Sequence, residues 1–335
     1  MPKKRQFLLA GDIGGTKTKL AIYHPKDGPR HPLAEATFPS ADYLSLEALV
    51  AEFLEGKGWS IYKASFGIAG PVVDRRVQVT NLPWVMDERA LSAEVGAPVT
   101  LLNDLTAIAQ GIPFLEAQDL VTLNTGTPVP NGAIAVIAPG TGLGEAFLVW
   151  NGDAYVPCAS EGSHTDFGPT NPTELELLSY LLSRHEHVSY EWVCSGLGLP
   201  NIYEFLRDTR RYPEPEWLKT ELSQAKDPTP VISEAAMAGK AEICVETLRL
   251  FVSILGSEAG NLALKVLANG GVYLGGGIPP RILPFLKEAS FMQAFTAKGR
   301  FSEMLAKVPV HVIRNPEAGL FGAACHGLKV GKEDA

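Results

Sequence analysis

The segment Asp12-Ile-Gly-Gly-Thr-Lys-Thr18 stands between two apolar runs, Phe7-Leu-Leu-Ala and Lys19-Leu-Ala-Ile-Tyr23. Both runs read as strands, so the glycines are predicted to form a tight turn between strands. The unit recurs. Ala135-Val-Ile-Ala-Pro-Gly-Thr-Gly-Leu-Gly-Glu-Ala-Phe-Leu-Val149 again reads as strand, glycine loop, strand. Two copies of one supersecondary unit predict a duplicated two-domain α/β fold. Each loop exposes backbone N–H groups that can hold phosphate oxygens. The two loops would face each other and clamp one nucleotide in a cleft between domains.

Two better-known phosphate motifs are excluded by what surrounds these glycines. A P-loop needs Gly where Thr16 stands, in Gly11-x-x-x-x-Thr-Lys17-Thr18, and a helix after it. A dinucleotide fingerprint at Pro139-Gly-Thr-Gly-Leu-Gly144 likewise needs a following helix. A β-type segment follows in both places. A plain glycine hairpin is the alternative at each loop taken alone.

Composition narrows the class. A chain of 335 residues is long for one core, which favours two domains. The net charge of −8 argues against nucleic acid as the main partner, and Lys3-Lys4-Arg5 is too short to reverse it. Apolar runs stay short, so neither a signal peptide nor a membrane span is expected. Cys158, Cys194, Cys244 and Cys325 are scattered without a C-x-x-C pair, which excludes a zinc cluster by spacing and fits a reducing cytoplasm.

Strands are expected at Phe7–Gly11, Lys19–Tyr23, Ala64–Ile68, Val99–Leu102, Ala133–Ile137, Ala146–Trp150 and Val272–Leu274. Helices are expected at Ser45–Glu55, Leu105–Gln110, Thr173–Arg184, Asn201–Arg207, Lys240–Val266 and Glu317–Gly327. The longest carries Ile243, Leu248, Phe251, Leu255, Ala259 and Leu262 on one stripe, with Gly256 and Gly260 predicting close helix contact. Glu246, Arg249 and Glu258 interrupt it, which assigns it to a core and not to a membrane. Lys226–Pro230, with two prolines, reads as a loop.

Polar residues at loop positions supply the candidate chemistry. Asn103 and Asp104 end a strand just before a helix. Asp104 there reads either as an N-cap or as a general base for a hydroxyl attacking a phosphoryl group. Glu161 and His164, three apart in a glycine-flanked polar stretch, can bind vicinal hydroxyls. Glu191 precedes Cys194-Ser-Gly-Leu-Gly and alone reads as a surface carboxylate. Gly275-Gly-Gly-Ile-Pro follows a strand and precedes Arg281-Ile-Leu-Pro-Phe-Leu, which looks helical; it reads as an adenine seat or as a helix-start turn.

Taken in order, these pieces resemble the bacterial glucokinase family, the short ATP-dependent hexose kinases of the actin-like ATPase superfamily. The resemblance rests on Gly11-Asp-Ile-Gly-Gly-Thr, Ile68-Ala-Gly-Pro, Thr80-Asn-Leu-Pro-Trp84, Asn103-Asp104, Gly140-Thr-Gly-Leu-Gly, Glu161-Gly-Ser-His-Thr-Asp-Phe, Ser195-Gly-Leu-Gly-Leu, Gly275-Gly-Gly-Ile-Pro-Pro-Arg and Lys298-Gly-Arg-Phe. Any one is weak; the ordered set spans nearly the whole chain. It implies two actin-like, ribonuclease H-like α/β domains flanking a substrate cleft. A small domain of residues 1–112 would be completed by 314–335, and a large domain would span 113–313.

The resemblance also implies transfer of the γ-phosphoryl group of MgATP to the 6-hydroxyl of glucose, with Asp104 as base. Asn103, Glu161, His164 and Glu191 would hold the other hydroxyls. Asp12, Gly14, Gly15 and Thr16 would meet phosphate, with Mg²⁺ carried by ATP near Asp12. Gly140, Thr141 and Gly142 would lie opposite, and Gly275, Gly276 and Gly277 would line the adenosine site. No dedicated protein metal site, no nucleic acid and no membrane are expected; the expected assembly is a cytoplasmic homodimer.

Two departures bear on this reading. The related repressor and kinase group carries a Cys-rich zinc motif that has no counterpart here. Ser163 replaces a Gly often found before the His, and its hydroxyl is expected near the sugar. The alternatives are a kinase for fructose, mannose or N-acetylglucosamine, or a non-enzymatic actin-like sugar sensor. The latter is disfavoured because the first strand begins too early for an N-terminal helix-turn-helix.

Overall fold

The computed structural model describes residues 6–79 and 82–330. Lys3-Lys4-Arg5, the Thr80-Asn81 end of one family motif and residues 331–335 lie outside the described residues. The chain divides into two compact units. The first comprises Met1–Glu116, Tyr155–Pro157 and Asn315–Ala335; the second comprises Ala117–Ala154 and Cys158–Arg314.

The first unit carries strands β1 (Phe7–Ile13), β2 (Lys17–Tyr23), β3 (Pro32–Pro39), β4 (Ile61–Ile68), β5 (Arg76–Gln78), β6 (Val85–Asp87) and β7 (Val99–Asn103). Its helices include α1 (Leu46–Leu54), α2 (Glu88–Val95) and α3 (Asp104–Gly111). Five strands form one sheet in the order β3-β2-β1-β4-β7, and β5 pairs with β6 apart from it. The first three strands meander antiparallel, and β4 and β7 join parallel to β1.

The second unit carries β8 (Leu120–Asn124), β9 (Ile134–Pro139), β10 (Leu143–Trp150), β11 (Tyr155–Ser160, of which Tyr155–Pro157 group with the first unit), β12 (Gly271–Leu274) and β13 (Val310–Ile313). Its helices are α4 (Pro172–Leu182), α5 (Gly198–Asp208), α6 (Glu216–Gln224), α7 (Pro228–Met237), α8 (Glu242–Val266), α9 (Leu283–Leu286), α10 (Ala289–Thr296) and α11 (Ser302–Ala306). The sheet order is β11-β10-β9-β12-β13-β8. Counted from β9, the strands run third, second, first, fourth, fifth, as they do in the first unit. Antiparallel β9/β10 and parallel β9/β12/β13 repeat its pattern, and β8 adds one antiparallel edge.

The two-residue side-chain period of β1 separates core from site. Leu9 and Ile13 face one core with Leu20, Phe66, and Leu49, Val50 and Phe53 of α1. Leu8 and Ala10 face the other way, with Ala21, Leu320, Ala323 and Ala324 of α12 (Ala318–Val330). Asp12 continues that second face. Helix α12 comes close to α3 because Gly322 has no side chain; a Cβ there would overlap the Ala107 carbonyl.

In the second unit α8 buries its apolar stripe as expected. The carbonyls of Phe291 and Phe295 on α10 occupy the space a Cβ of Gly256 or Gly260 would need. Of the three charges expected to interrupt α8, Glu258 is in fact wholly buried. Among the described residues no helix is long and apolar enough to cross a membrane.

Two local expectations are corrected. Residues 226–230 are not all loop: Asp227 caps α7, its side chain accepting from Thr229 N–H at 2.9 Å, and Pro228 opens the helix. Proline at the first helical position removes an N–H that has no intrahelical partner there. Within Arg281–Leu286, expected to be helical throughout, one turn forms, Leu283–Leu286, and a separate helix, α10, follows at Ala289.

Candidate functional site

The end of β7 assigns separate duties to Asn103 and Asp104. Asn103, not Asp104, is the N-cap of α3: its Oδ1 accepts from Leu105 N–H at 3.1 Å and Thr106 N–H at 3.3 Å. Its Nδ2 donates to Gly70 O at 3.2 Å. Gly70 has φ +150°, and a side chain there would meet Gln78 O at 2.9 Å, which accounts for the glycine in Ile68-Ala-Gly-Pro. Asp104 is the first helical residue. Its Oδ1 takes Leu105 N–H at 2.8 Å, and the residue is exposed at its surface.

Asp12 lies on the same sheet edge. Its register partner on β4 is Gly67, and the next β4 residue, Ile68, pairs with Asn103. Gly319 in the first turn of α12 backs the carboxylate: a Cβ there would lie 3.0 Å from Asp12 Cγ. Loss of water, then the charges of Asp104 and Glu317, push Asp12 up to about 6. Crowding by protein likewise raises Asp104, against the lowering effect of the Leu105 N–H. Glu317 is ion-paired to Lys19, which also meets Glu35 at 3.2 Å.

The turn after Asp12 is held from one side. Gly14 N–H donates to Lys17 O at 3.0 Å; Ser40 donates its Oγ–H to Gly14 O at 2.8 Å and its N–H to Thr16 O at 3.1 Å. Gly14 and Gly15 are partly open and Thr16 is exposed. Ser40, Glu317 and Gly319 stand against Asp12 and its turn, and sequence reading did not single them out. The first lies far along the chain without a motif, and the other two sat inside an expected helix.

The second unit assembles its own glycine loop. Gly196 N–H donates to Gly140 O at 2.8 Å and Leu197 N–H to Thr141 O at 3.2 Å, so Ser195-Gly-Leu-Gly is the brace of the Gly140–Gly142 loop. Glu191 is no plain surface carboxylate: its Oε2 accepts Leu143 N–H at 3.0 Å and lies against Gly142. Gly275 N–H donates to Ile137 O at 2.9 Å and Ile278 N–H to Pro139 O at 3.2 Å, which seats Gly275–Gly277 beside the same loop. Gly276 has φ +79° and presses on the Pro139 carbonyl. Gly140 and Gly277 have nothing within 4 Å of where a Cβ would stand.

Glu161 and His164 lie on one exposed 3₁₀ turn, their Oε2 and Nε2 3.9 Å apart and their side chains 83% and 56% accessible. Two open polar groups in reach of each other can serve adjacent hydroxyls. Ser163 between them is buried. Backbone bonds tie this turn to the one carrying Glu191: Phe167 N–H to Val188 O at 2.9 Å and Tyr190 N–H to Thr165 O at 3.2 Å.

The duplicated sheet, with a glycine hairpin in each copy and polar and carboxylate groups on the loops, defines an actin-like α/β fold of the sugar-kinase type. A family model described as Glucokinase matches residues 9–329. The chain belongs to the glucokinase family. It is 42% identical to the glucokinase of Nostoc punctiforme over 333 residues, covering 95% of this chain and 98% of the relative. A crystal structure of a glucokinase from an Antarctic psychrotroph is similar at a TM-score of 0.85 and 31% identity, covering 97% and 99% of the two chains. A ROK family glucokinase from Streptomyces griseus, solved with glucose and AMPPNP, shares the fold at a TM-score of 0.64 and 22% identity over 96% and 99% of the chains.

Proposed function

We propose that this protein transfers the γ-phosphoryl group of ATP to the 6-hydroxyl of glucose, giving glucose 6-phosphate and ADP. The observation that carries the mechanism is the division of duties at the end of β7. Asn103 caps the helix, so the accessible Asp104 carboxylate is left to take a proton. In the step, O6 bonds to the γ-phosphorus, the bond from that phosphorus to the bridging oxygen breaks, and the O6 proton passes to Asp104.

Asn103, Glu161, His164 and Glu191 hold the remaining hydroxyls in this reading. Gly14–Thr16 and Gly140–Gly142 present backbone to the phosphates, and Gly275–Gly277 take the adenosine. Asp12, largely buried and in the negative field of Asp104 and Glu317, is the carboxyl that would meet a divalent cation. In this reading Mg²⁺ arrives on ATP, meets Asp12 and offsets phosphate charge. A small domain of 1–112 with 314–335, a large one of 113–313, a homodimer and a cytoplasmic setting belong to the same proposal. None of the four cysteines, all of them among the described residues, forms a disulfide.

A coupled assay with Mg-ATP over glucose, mannose, fructose and N-acetylglucosamine tests the reading. Glucose is expected to give the highest kcat/KM. Preference for another hexose would redirect the substrate, and no phosphorylation of any hexose by folded protein would overturn the proposal.

A further inference from the structure

A charged residue inside an apolar strand is the starting point. Glu145 on β10 is 1% exposed, and among the described residues neither carboxyl oxygen has a hydrogen-bond partner. It lies beneath the Glu161–His164 turn: a Cβ on Gly162 would collide with Glu145 Oε2, and Ser160 Oγ would be 3.1 Å from it. A second carboxyl, Glu258 of α8, itself 0% exposed, lies close enough to raise Glu145, against the opposing charge of Lys265. Glu258 is already served, by Lys265 Nζ at 3.2 Å and Asn261 Nδ2 at 2.8 Å. Asn261 Nδ2 also donates to Tyr190 Oη at 2.9 Å, next to Glu191.

An isolated carboxylate cannot stay charged in such a place, and a neutral carboxyl needs an acceptor for its proton. Two facing carboxyls meet both needs with one proton between them. We propose that Glu145 is a positioning residue for the sugar: it shares one proton with Glu258, and the pair props the Glu161–His164 turn on one side and, through Asn261 and Tyr190, the Glu191 turn on the other.

Burial and the Glu258 charge hold Glu145 protonated up to about 8. The other groups facing the pair are Lys265, Lys298, Glu174, Tyr190 and Cys194. Lys298 donates to Ser257 Oγ at 3.0 Å, and Glu174 accepts from Thr170. Burial drives Tyr190 and Cys194 upward, away from neutrality. Loss of the shared proton above neutral pH would set two buried anions against each other and push the turns apart.

The kinetic half of this inference rests on the glucose reading. The KM for glucose should rise on the order of tenfold between pH 7 and pH 9, about the effect of one lost hydrogen bond, with kcat changing much less. Glu145→Gln supplies a permanent N–H to Glu258 and nothing that titrates, so it should keep the neutral-pH KM and lack the alkaline rise. Glu145→Ala should raise KM about tenfold at pH 7 and speed amide exchange in residues 161–166 and 188–192 together, without sugar present. An alkaline rise unchanged in E145Q would overturn the proposal. So would equal exchange in wild type and E145A, a readout that holds even if no hexose is phosphorylated.

Discussion

Asp12 is a residue held against its own stability. Its folded pKa lies near 6 and its ordinary value near 3.8, so the folded chain binds that proton more tightly than the unfolded chain does. Its contribution therefore falls as pH rises from about 4 to about 6 and stays low above that. Asp12→Asn should stabilise the protein at pH 7 by about 1–3 kcal/mol, a gap that closes near pH 4, while activity drops. Urea melts at the two pH values check this; a variant less stable than wild type at pH 7 would contradict it. Asn103 shows the opposite balance. Asn103→Ala removes both the α3 cap and the bond to Gly70, and should cost about 1–2 kcal/mol in the same melts, whereas Asn103→Asp keeps the cap.

At the scale of elements, the close packing of α12 on α3 sets the place of Gly319 behind Asp12. In an exposed helix Gly322→Ala would gain up to about 1 kcal/mol from propensity. Here the new Cβ overlaps the Ala107 carbonyl, backbone that cannot rotate away, and overpacking costs about 1–3 kcal/mol. Overlap should win, lowering the melting temperature; a stabilised Gly322→Ala would show that the two helices can separate freely. The elements legible in the sequence were those with a clear apolar run or period: β1, β2, β4, β7, β9 and β10 among the strands, and α1, α3, α4, α5, α8 and α12 among the helices. Strand β3 alternates half-buried and exposed along its whole length between two prolines, as an edge strand does, and was not read. Strands β5, β6, β12 and β13 span three or four residues, too few for a period; only β12 was read, because glycines follow it. Helix α7 was half hidden by Pro228 and Pro230, whose role at a helix start depends on the Asp227 cap.

At the scale of the whole molecule, the duplicated strand–loop–strand unit was enough to anticipate two α/β halves, because it opens the five-strand order that both sheets share. Candidate site residues on glycine motifs were legible for the same reason. Those that act by packing were not: Ser40, Gly319, Glu145 and Glu258 carry no local pattern, and only the topology brings them to the loops. One sign was on the page, a glutamate inside the apolar run Leu143–Trp150.

The central claim is that Asp104 takes the proton of the attacking hydroxyl. Asp104→Asn keeps the side chain's shape and its bond to Leu105 N–H, and leaves the α3 cap on Asn103. Glucose should bind it with an affinity within a few-fold of wild type by calorimetry, and its kcat with Mg-ATP should fall about 10²–10⁴-fold. Near-normal kcat in a variant that binds glucose would contradict the assignment of Asp104 as the base.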